Sequence, residues 1–119
     1  MHGPTFMGHA IACSAANASL DLFESENRLD QVDQINSTLQ QKLNDLSDFD
    51  SVKEVRVLGA VGAVELHHPI AVGNATASFA DSGVFIRPIG NVIYLAPSFT
   101  IATSDLETLC DAIKTFLSQ

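Results

Sequence analysis

The chain has 119 residues, of which 46% are hydrophobic, so it has the size and composition of one globular domain with a modest core. No run approaches the roughly 18 apolar residues that a membrane-spanning helix needs. The formal net charge of -8 disfavours both nucleic acid and anionic lipid surfaces as partners. The first residues lack a basic segment followed by an apolar one, so we expect no secretory signal and a cytoplasmic protein.

The predicted elements begin with an ordered loop and two helices. In the loop, Pro4 fixes one backbone angle, while Gly3 and Gly8 permit tight bends. Alanine-rich sequence from Ile11 to Phe23 predicts a helix that is buried on most sides. From Arg28 to Leu46 the large apolar residues lie three or four apart, which predicts an amphipathic helix.

The middle of the chain predicts β structure and a short helix. Four valines lie in β-branched runs interrupted by Gly59 and Gly62, which indicates either a hairpin or one strand bent at a glycine. His67-His68-Pro69 ends this region. A short helix is predicted from Ala75 to Asp81, closed by Gly83 after its C-terminus.

Two strands and a helix complete the chain. The strands are predicted at Val84–Arg87 and Val92–Ala96, joined across Pro88–Asn91. Ser104 to Glu107 has the pattern of a capping box, and apolar residues then repeat at helical spacing to the C-terminus. The order predicts an α+β fold with a small antiparallel or mixed sheet and helices packed on one face.

The two cysteines, Cys13 and Cys110, each lie among apolar helical neighbours and are not in a C-x-x-C pair. We interpret both as buried thiols, and a disulfide or a metal role is the alternative. Adjacent His67 and His68 on a strand end would point to opposite faces and could not readily share a metal. We therefore predict no metal site.

The opening loop has two interpretations. Gly3-Pro4-Thr5 lies a few residues ahead of a helix, where free backbone donors and the helix dipole favour an anion such as a phosphate. The alternative is an ordinary turn in which Thr5 caps the helix. Spacing alone favours the ordinary turn.

Arg87 also has two interpretations. It follows the apolar run Val84–Ile86 in a chain with only six basic residues, and a charge is costly to bury without a partner. Its guanidinium could bind a carboxylate in two-pronged geometry, or it could point to solvent from an alternating strand. For Tyr94 we favour a ring packed on the core over a hydroxyl in a site. Lys42, Lys53 and Lys114 do not fall in segments that would form the desolvated pocket an activated amine needs.

Three stretches of the sequence are distinctive: MHGPTFMGHAIACSAANASL, VRVLGAVGAVEL and VFIRPIGNVIYLAPSF. They closely resemble the C-terminal part of the 7,8-diaminopelargonic acid aminotransferases, which are class III, pyridoxal-phosphate-dependent enzymes of biotin synthesis. The resemblance covers nearly the whole chain and is weakest from Arg28 to Asp50. Gly8-His9-Ala10 departs from the Gly-Asn-Pro that is usual there.

The resemblance implies the small C-terminal domain of a fold-type I transferase. Residues 1–10 would be a cofactor loop belonging to the large domain, and residues 11–119 the small domain. Pro4 and Thr5 would lie at the cofactor phosphate, with Thr5 reaching into the neighbouring subunit's site of a homodimer. Gly3 would touch the substrate, and Arg87 would bind the carboxylate of 8-amino-7-oxononanoate, which receives an amino group from S-adenosylmethionine.

The same resemblance implies that the lysine that binds pyridoxal phosphate covalently lies outside this chain. We therefore expect no catalytic residue here, and an inactive chain on its own. Two other interpretations stay open, namely a free-standing α+β ligand-binding or interaction module and the same domain of another class III aminotransferase.

Overall fold

The computed structural model describes residues 3–119, and its elements confirm the α+β prediction. The described residues form two units, with the boundary between Asp30 and Gln31. In chain order the elements are α1 (Ala10–Ser25), α2 (Arg28–Leu43), a 3-10 helix (Asn44–Asp48), β1 (Val52–Leu58), β2 (Val61–Leu66), α3 (Val72–Asp81), β3 (Val92–Leu95) and α4 (Thr103–Leu117).

Helix α1 lies where it was predicted, but its predicted burial is wrong. None of its residues is buried in the described structure, and Ile11 and Leu20 are 77% and 64% exposed. Cys13 on this helix is likewise exposed, which corrects its interpretation as a buried thiol. Periodicity identifies a helix surface that is suited to burial, whereas burial also needs a second surface to cover it.

Helix α2 supplies one wall of the core in the second unit. Its amphipathic pattern is confirmed, although the α-helix ends at Leu43 and the predicted last apolar position, Leu46, lies on the 3-10 helix. A tightened last turn of this kind is common at helix ends. The buried residues of this stretch recur at the predicted spacing: Ile35, Leu39, Leu43 and Leu46.

The three strands form one antiparallel sheet in the order β1-β2-β3. Strands β1 and β2 make a hairpin, the first of the two predicted alternatives, and Gly59 in its turn has a positive φ of 55°, which glycine adopts without a steric penalty. In the register, Val64 lies opposite both Val55 and Ile93, so these three side chains share the core face.

The predicted strand Val84–Arg87 does not form. The pairing on that side of β3 is limited to one bridge, Ile89 to Val92, within the part of the chain that the structure describes. Pro88 provides the physical reason, because its ring holds φ near about -65°, far from the roughly -140° of an antiparallel strand. The segment therefore leaves the edge of the sheet after a single pair.

Helices α3 and α4 pack together under the core. Gly83 follows α3 with a positive φ of 77°, which confirms its predicted position after the helix. In α4 the predicted capping box is wrong: the N-cap is Ala102, and the N–H groups of Asp105 and Leu106 already donate to its carbonyl at 3.0 and 3.1 Å. Ser104 therefore lies inside the first turn, two positions after the N-cap, and cannot cap it.

Cys110 on α4 is buried, as predicted, and forms no disulfide. Burial raises the pKa of its thiol to about 11, so the group stays protonated at neutral pH. No helix of the described residues combines the length and the apolar character that crossing a bilayer requires.

Gly62 in β2 is expected to tolerate no side chain. A Cβ there would lie 2.7 Å from Leu43 Cδ1 and 3.3 Å from Leu39 Cδ2, and both leucines are fully buried. We expect Gly62→Ala to lower the free energy of unfolding by about 1–3 kcal/mol, the usual cost of overpacking. The measurement is the urea midpoint. Gly73→Ala on α3 is the matched control, because a Cβ there meets nothing within 4 Å. Equal midpoints for the two variants would contradict the prediction.

Glu65 makes the outer face of the sheet sensitive to acid. Its carboxylate accepts from Lys53 Nζ at 2.6 Å and from Arg56 Nη1 at 2.7 Å, and Arg56 also pairs with Glu54. The hydrogen bonds from Lys53 and Arg56 lower the pKa of Glu65 from 4.5 to about 2.

Because the pKa of Glu65 is lowered by folding, the charged carboxylate stabilises the fold above its unfolded pKa, and this contribution is lost as the pH falls toward about 2. Glu65→Gln should therefore destabilise the protein near neutral pH, and its difference from wild type should vanish in that acidic window. Urea unfolding across the pH range measures this, with Glu24→Gln as control. A difference that is independent of pH would contradict the assignment.

Candidate functional site

The opening loop is an ordered turn in which every described residue is exposed. The Met7 N–H donates to the Pro4 carbonyl at 3.0 Å, and Gly8 has a positive φ of 71°. Gly3 lies against the Met7 side chain, since a Cβ at Gly3 would stand 1.8 Å from Met7 Cε. The turn therefore has the tight geometry that Pro4 and its two glycines predict.

Helix α1 is capped by His9 and not by Thr5. The His9 imidazole accepts from the Ala12 N–H at 3.3 Å, and its carbonyl accepts from Cys13. Within residues 3–119, the hydroxyl of Thr5 takes part in no hydrogen bond. The loop therefore presents an uncommitted hydroxyl beside backbone amides, which corrects the interpretation of Thr5 as a capping residue.

Arg87 lies between two anchored neighbours. Ile86 is 3% exposed and belongs to the core, and Pro88 is buried as well, whereas Arg87 itself is exposed. No carboxylate of the described residues forms an ion pair with its guanidinium. Its backbone is thus held on both sides while its charge stays available to a ligand.

A cleft of about 400 Å³ contains Arg87 at the free edge of the sheet. It opens because the chain leaves the sheet at Pro88, so that the segment before the turn and the segment from β3 onward form opposite walls. The lining residues are mostly apolar: Phe85, Ile86, Arg87, Tyr94, Leu95, Ala96, Pro97 and Leu109. A cation beside an apolar wall suits an elongated molecule that ends in a carboxylate.

The structure brings together Arg87 and Tyr94, whose side chain is 40% exposed and lines the same cleft. Tyr94 therefore does not have the core-packed ring that we favoured. Gly3, Pro4 and Thr5 belong to the other unit. Leu109 of α4 also lines the cleft, and the sequence analysis did not predict this. Its helical spacing indicated only an apolar helix position, and the cleft brings it close to residues that are distant in the sequence.

Two of the three lysines form ion pairs, and the third is exposed. Lys42 Nζ lies 3.6 Å from Glu107 and 3.8 Å from Asp111, and Lys53 pairs with Glu65. Lys114 is exposed on α4. None of the three lines the cleft that contains Arg87.

Comparison with known proteins extends this picture. Residues 1–117 match the family model for class III aminotransferases. The adenosylmethionine-8-amino-7-oxononanoate aminotransferase of Corynebacterium glutamicum is 37% identical over 113 residues, which cover 95% of this chain and 27% of that protein.

Solved structures show the same fold. The crystal structure of adenosylmethionine-8-amino-7-oxononanoate aminotransferase from Methanocaldococcus jannaschii matches 98% of this chain and 29% of that one, at 30% identity and a TM-score of 0.85. An amine transaminase from an uncultivated Pseudomonas species, in its pyridoxal-phosphate-bound form, matches 99% of this chain and 29% of that one, at 29% identity and a TM-score of 0.85.

The chain thus spans between a quarter and a third of the length of the relatives it matches. The match to the family model nevertheless runs through nearly all of its residues, and it includes both the opening loop and the Arg87 segment. This chain therefore belongs to the class III aminotransferases.

Proposed function

We propose that this chain is the C-terminal part of a pyridoxal-phosphate-dependent aminotransferase of biotin synthesis. The whole enzyme would transfer an amino group from S-adenosylmethionine to 8-amino-7-oxononanoate and so form 7,8-diaminononanoate. The observation that carries the proposal is Arg87, an exposed cation without an ion-pair partner among the described residues, in an apolar cleft. Similarity to relatives with this name supports the choice of substrate.

The chemistry of the acceptor suits the cleft. A nonanoate has a carboxylate at one end of a largely apolar carbon chain. Arg87 can bind that carboxylate through two parallel N–H donors, and the walls formed by Phe85, Leu95 and Leu109 can cover the methylene groups. Binding at both places fixes the direction of the molecule, which places its reacting end at a constant distance from Arg87.

The opening loop fits a phosphate group. The Thr5 hydroxyl and the amides of Thr5 and Phe6 donate to no other described residue, and the turn at Pro4 holds these groups side by side. Neutral donors from a loop are a common way to bind a phosphate. Pyridoxal phosphate, when bound, supplies the carbonyl group and the electron sink that amino transfer requires.

The residues of this chain would bind and orient the reactants. Pro4 shapes the turn, Thr5 donates to the cofactor phosphate, and Gly3 contacts the substrate. We place Thr5 in the site of the neighbouring subunit of a homodimer. Arg87 holds the substrate carboxylate, and the apolar walls of its cleft exclude water from the bound chain.

The chemical step would depend on residues outside this chain, so we expect the chain alone to be inactive. Lys42 and Lys53 are ion-paired and Lys114 is exposed, so none of them lies in the desolvated pocket that an activated amine needs. The exposed apolar side chains of α1, including Ile11 and Leu20, support a place for this helix against the remainder of the enzyme.

A second candidate is the same domain of a class III aminotransferase with a different acceptor. It is favoured by the TM-score of 0.85 to an amine transaminase, equal to that of the Methanocaldococcus relative. The test is a comparison of acceptors in the whole enzyme. Higher activity with 8-amino-7-oxononanoate than with other amino acceptors supports the first candidate, and a preference for another acceptor supports the second.

Thr5→Ala in the whole enzyme should weaken retention of the cofactor. It removes one hydroxyl donor to the phosphate, and hydrogen bonds to charged groups contribute about 1.5–3 kcal/mol, so we expect a rise in the cofactor Kd of roughly tenfold or more. Equilibrium dialysis measures it, with exposed Thr103→Ala as the control. An unchanged Kd would remove Thr5 from the cofactor site.

Arg87→Ala should abolish tight binding of the carboxylate substrate. Leaving that carboxylate desolvated without its partner costs on the order of 2–5 kcal/mol, which is about a 30-fold or larger loss of affinity. Arg87→Lys should recover only part of it, because an ammonium lacks the planar pair of donors.

The two half-reactions, followed separately by stopped flow, test this assignment. We expect the half-reaction with 8-amino-7-oxononanoate to suffer more than the half-reaction with the amino donor. Lys114→Ala removes an exposed positive charge from α4 and serves as the control. Small and equal effects on both half-reactions would show that Arg87 only faces solvent.

A further inference from the structure

A two-residue turn follows Arg87 and reverses the chain into β3. Ile89 and Val92 exchange both of their backbone hydrogen bonds, each at 2.9 Å, around Gly90 and Asn91. Gly90 has a positive φ of 62°, as the first central residue of a type II′ hairpin turn does. The turn is therefore a defined hairpin loop, although the strand expected before it is missing.

Asn91 ties this turn to the end of β2. Its side-chain Nδ2 donates to the Leu66 carbonyl at 2.7 Å, and its backbone carbonyl accepts from the Leu66 N–H at 2.8 Å. The Gly90 carbonyl adds a third bond by accepting from Ile70 N–H at 2.9 Å. The side-chain bond is partly buried, which makes it stronger than the same bond in water.

The turn is what fixes the chain on the C-terminal side of Arg87. In a regular hairpin the next hydrogen-bonded pair after Ile89 and Val92 would join Arg87 to Tyr94, and the described residues contain no such pair. Pro88 is rigid and connects Arg87 directly to the turn. A shift of the turn relative to β2 would therefore move Arg87 relative to Tyr94 and Leu95 across the cleft.

We propose that Asn91 is a positioning residue for Arg87. The hydrogen bond from the Asn91 side chain to Leu66 holds Arg87 at the productive distance from the opposite wall of the cleft. This inference rests on the proposed function, since it assumes that Arg87 binds the substrate carboxylate. Asn91 itself is not among the residues that line the cleft.

The test uses Asn91→Asp in the whole enzyme, because this change keeps the size of the side chain and removes the Nδ2 donor. We expect the KM for 8-amino-7-oxononanoate to rise about three- to tenfold, the effect of losing one hydrogen bond, while kcat stays within about twofold. Asn44→Asp, which makes the same charge change at an exposed position of the 3-10 helix, should leave both constants unchanged.

The decisive comparison repeats Asn91→Asp in the Arg87→Ala background. If Asn91 acts through Arg87, the second substitution adds no further rise in KM, because the group it positions is already gone. Asn91→Ala removes the same bond without adding a charge, and it replaces Asn91→Asp throughout if the aspartate variant does not fold.

Three outcomes overturn the inference in different ways. An unchanged KM in Asn91→Asp, together with a raised KM in Arg87→Ala, refutes the role of Asn91 and leaves the proposed function standing. An equal rise of KM in both backgrounds shows that Asn91 acts on the fold and not through Arg87. An unchanged KM in Arg87→Ala itself refutes the carboxylate site and with it the proposed function.

Discussion

The architecture of the second unit depends on the close approach of α2 to the central strand of the sheet. Leu39 and Leu43 pack so near to Gly62 that any side chain there would overlap them. Since β2 pairs with both other strands, this single contact sets the height of the helix above the whole sheet. The core residues of β3, Ile93 and Leu95, are almost completely buried, whereas Val55 and Val57 on the same face of β1 are only partly buried.

The register of the sheet separates the core positions from the charged positions of the outer face. Residues opposite Gly62 and Val64 point into the core, whereas the alternate positions carry the charged group around Glu65 on the outer face. At β3 this alternation buries Ile93 and leaves Tyr94 partly exposed. The core residues that line the cleft are therefore apolar and add no charge to it.

Local periodicity predicted most elements, because helix and turn preferences act over a few neighbouring residues. It located α1, the β1–β2 hairpin and the glycine after α3. It was wrong at Val84–Arg87, whose β-branched and aromatic residues suit a strand, because Pro88 turns the backbone away after one pair. The burial of α1 was also wrong, since burial depends on a surface that no pattern within the helix can specify.

The same departure from the strand is what creates the candidate site. Had Val84–Arg87 continued the sheet, its pairing with β3 would have closed the cleft between Arg87 and Tyr94. From the sequence, Arg87 could be recognised as an unusual charge. The apolar walls of its cleft could not be predicted, because one of their residues, Leu109, lies more than 20 positions further along the chain. The resemblance to a known family identified Arg87 as a site residue. The residues that surround it in the cleft are visible only in the tertiary structure.

Electrostatics support the proposed role of Arg87 as a carboxylate receptor in an acidic chain. A net charge of -8 repels a carboxylate at long range, so binding must come from a short-range contact with a cation that no protein carboxylate has already neutralised. Four of the six basic residues are paired in the described structure: Arg28, Lys42, Lys53 and Arg56. Of the other two, Lys114 is exposed on α4, while Arg87 lines an apolar cleft. The lower dielectric beside apolar walls strengthens an ion pair there, so Arg87 is the cation best placed to hold a substrate carboxylate.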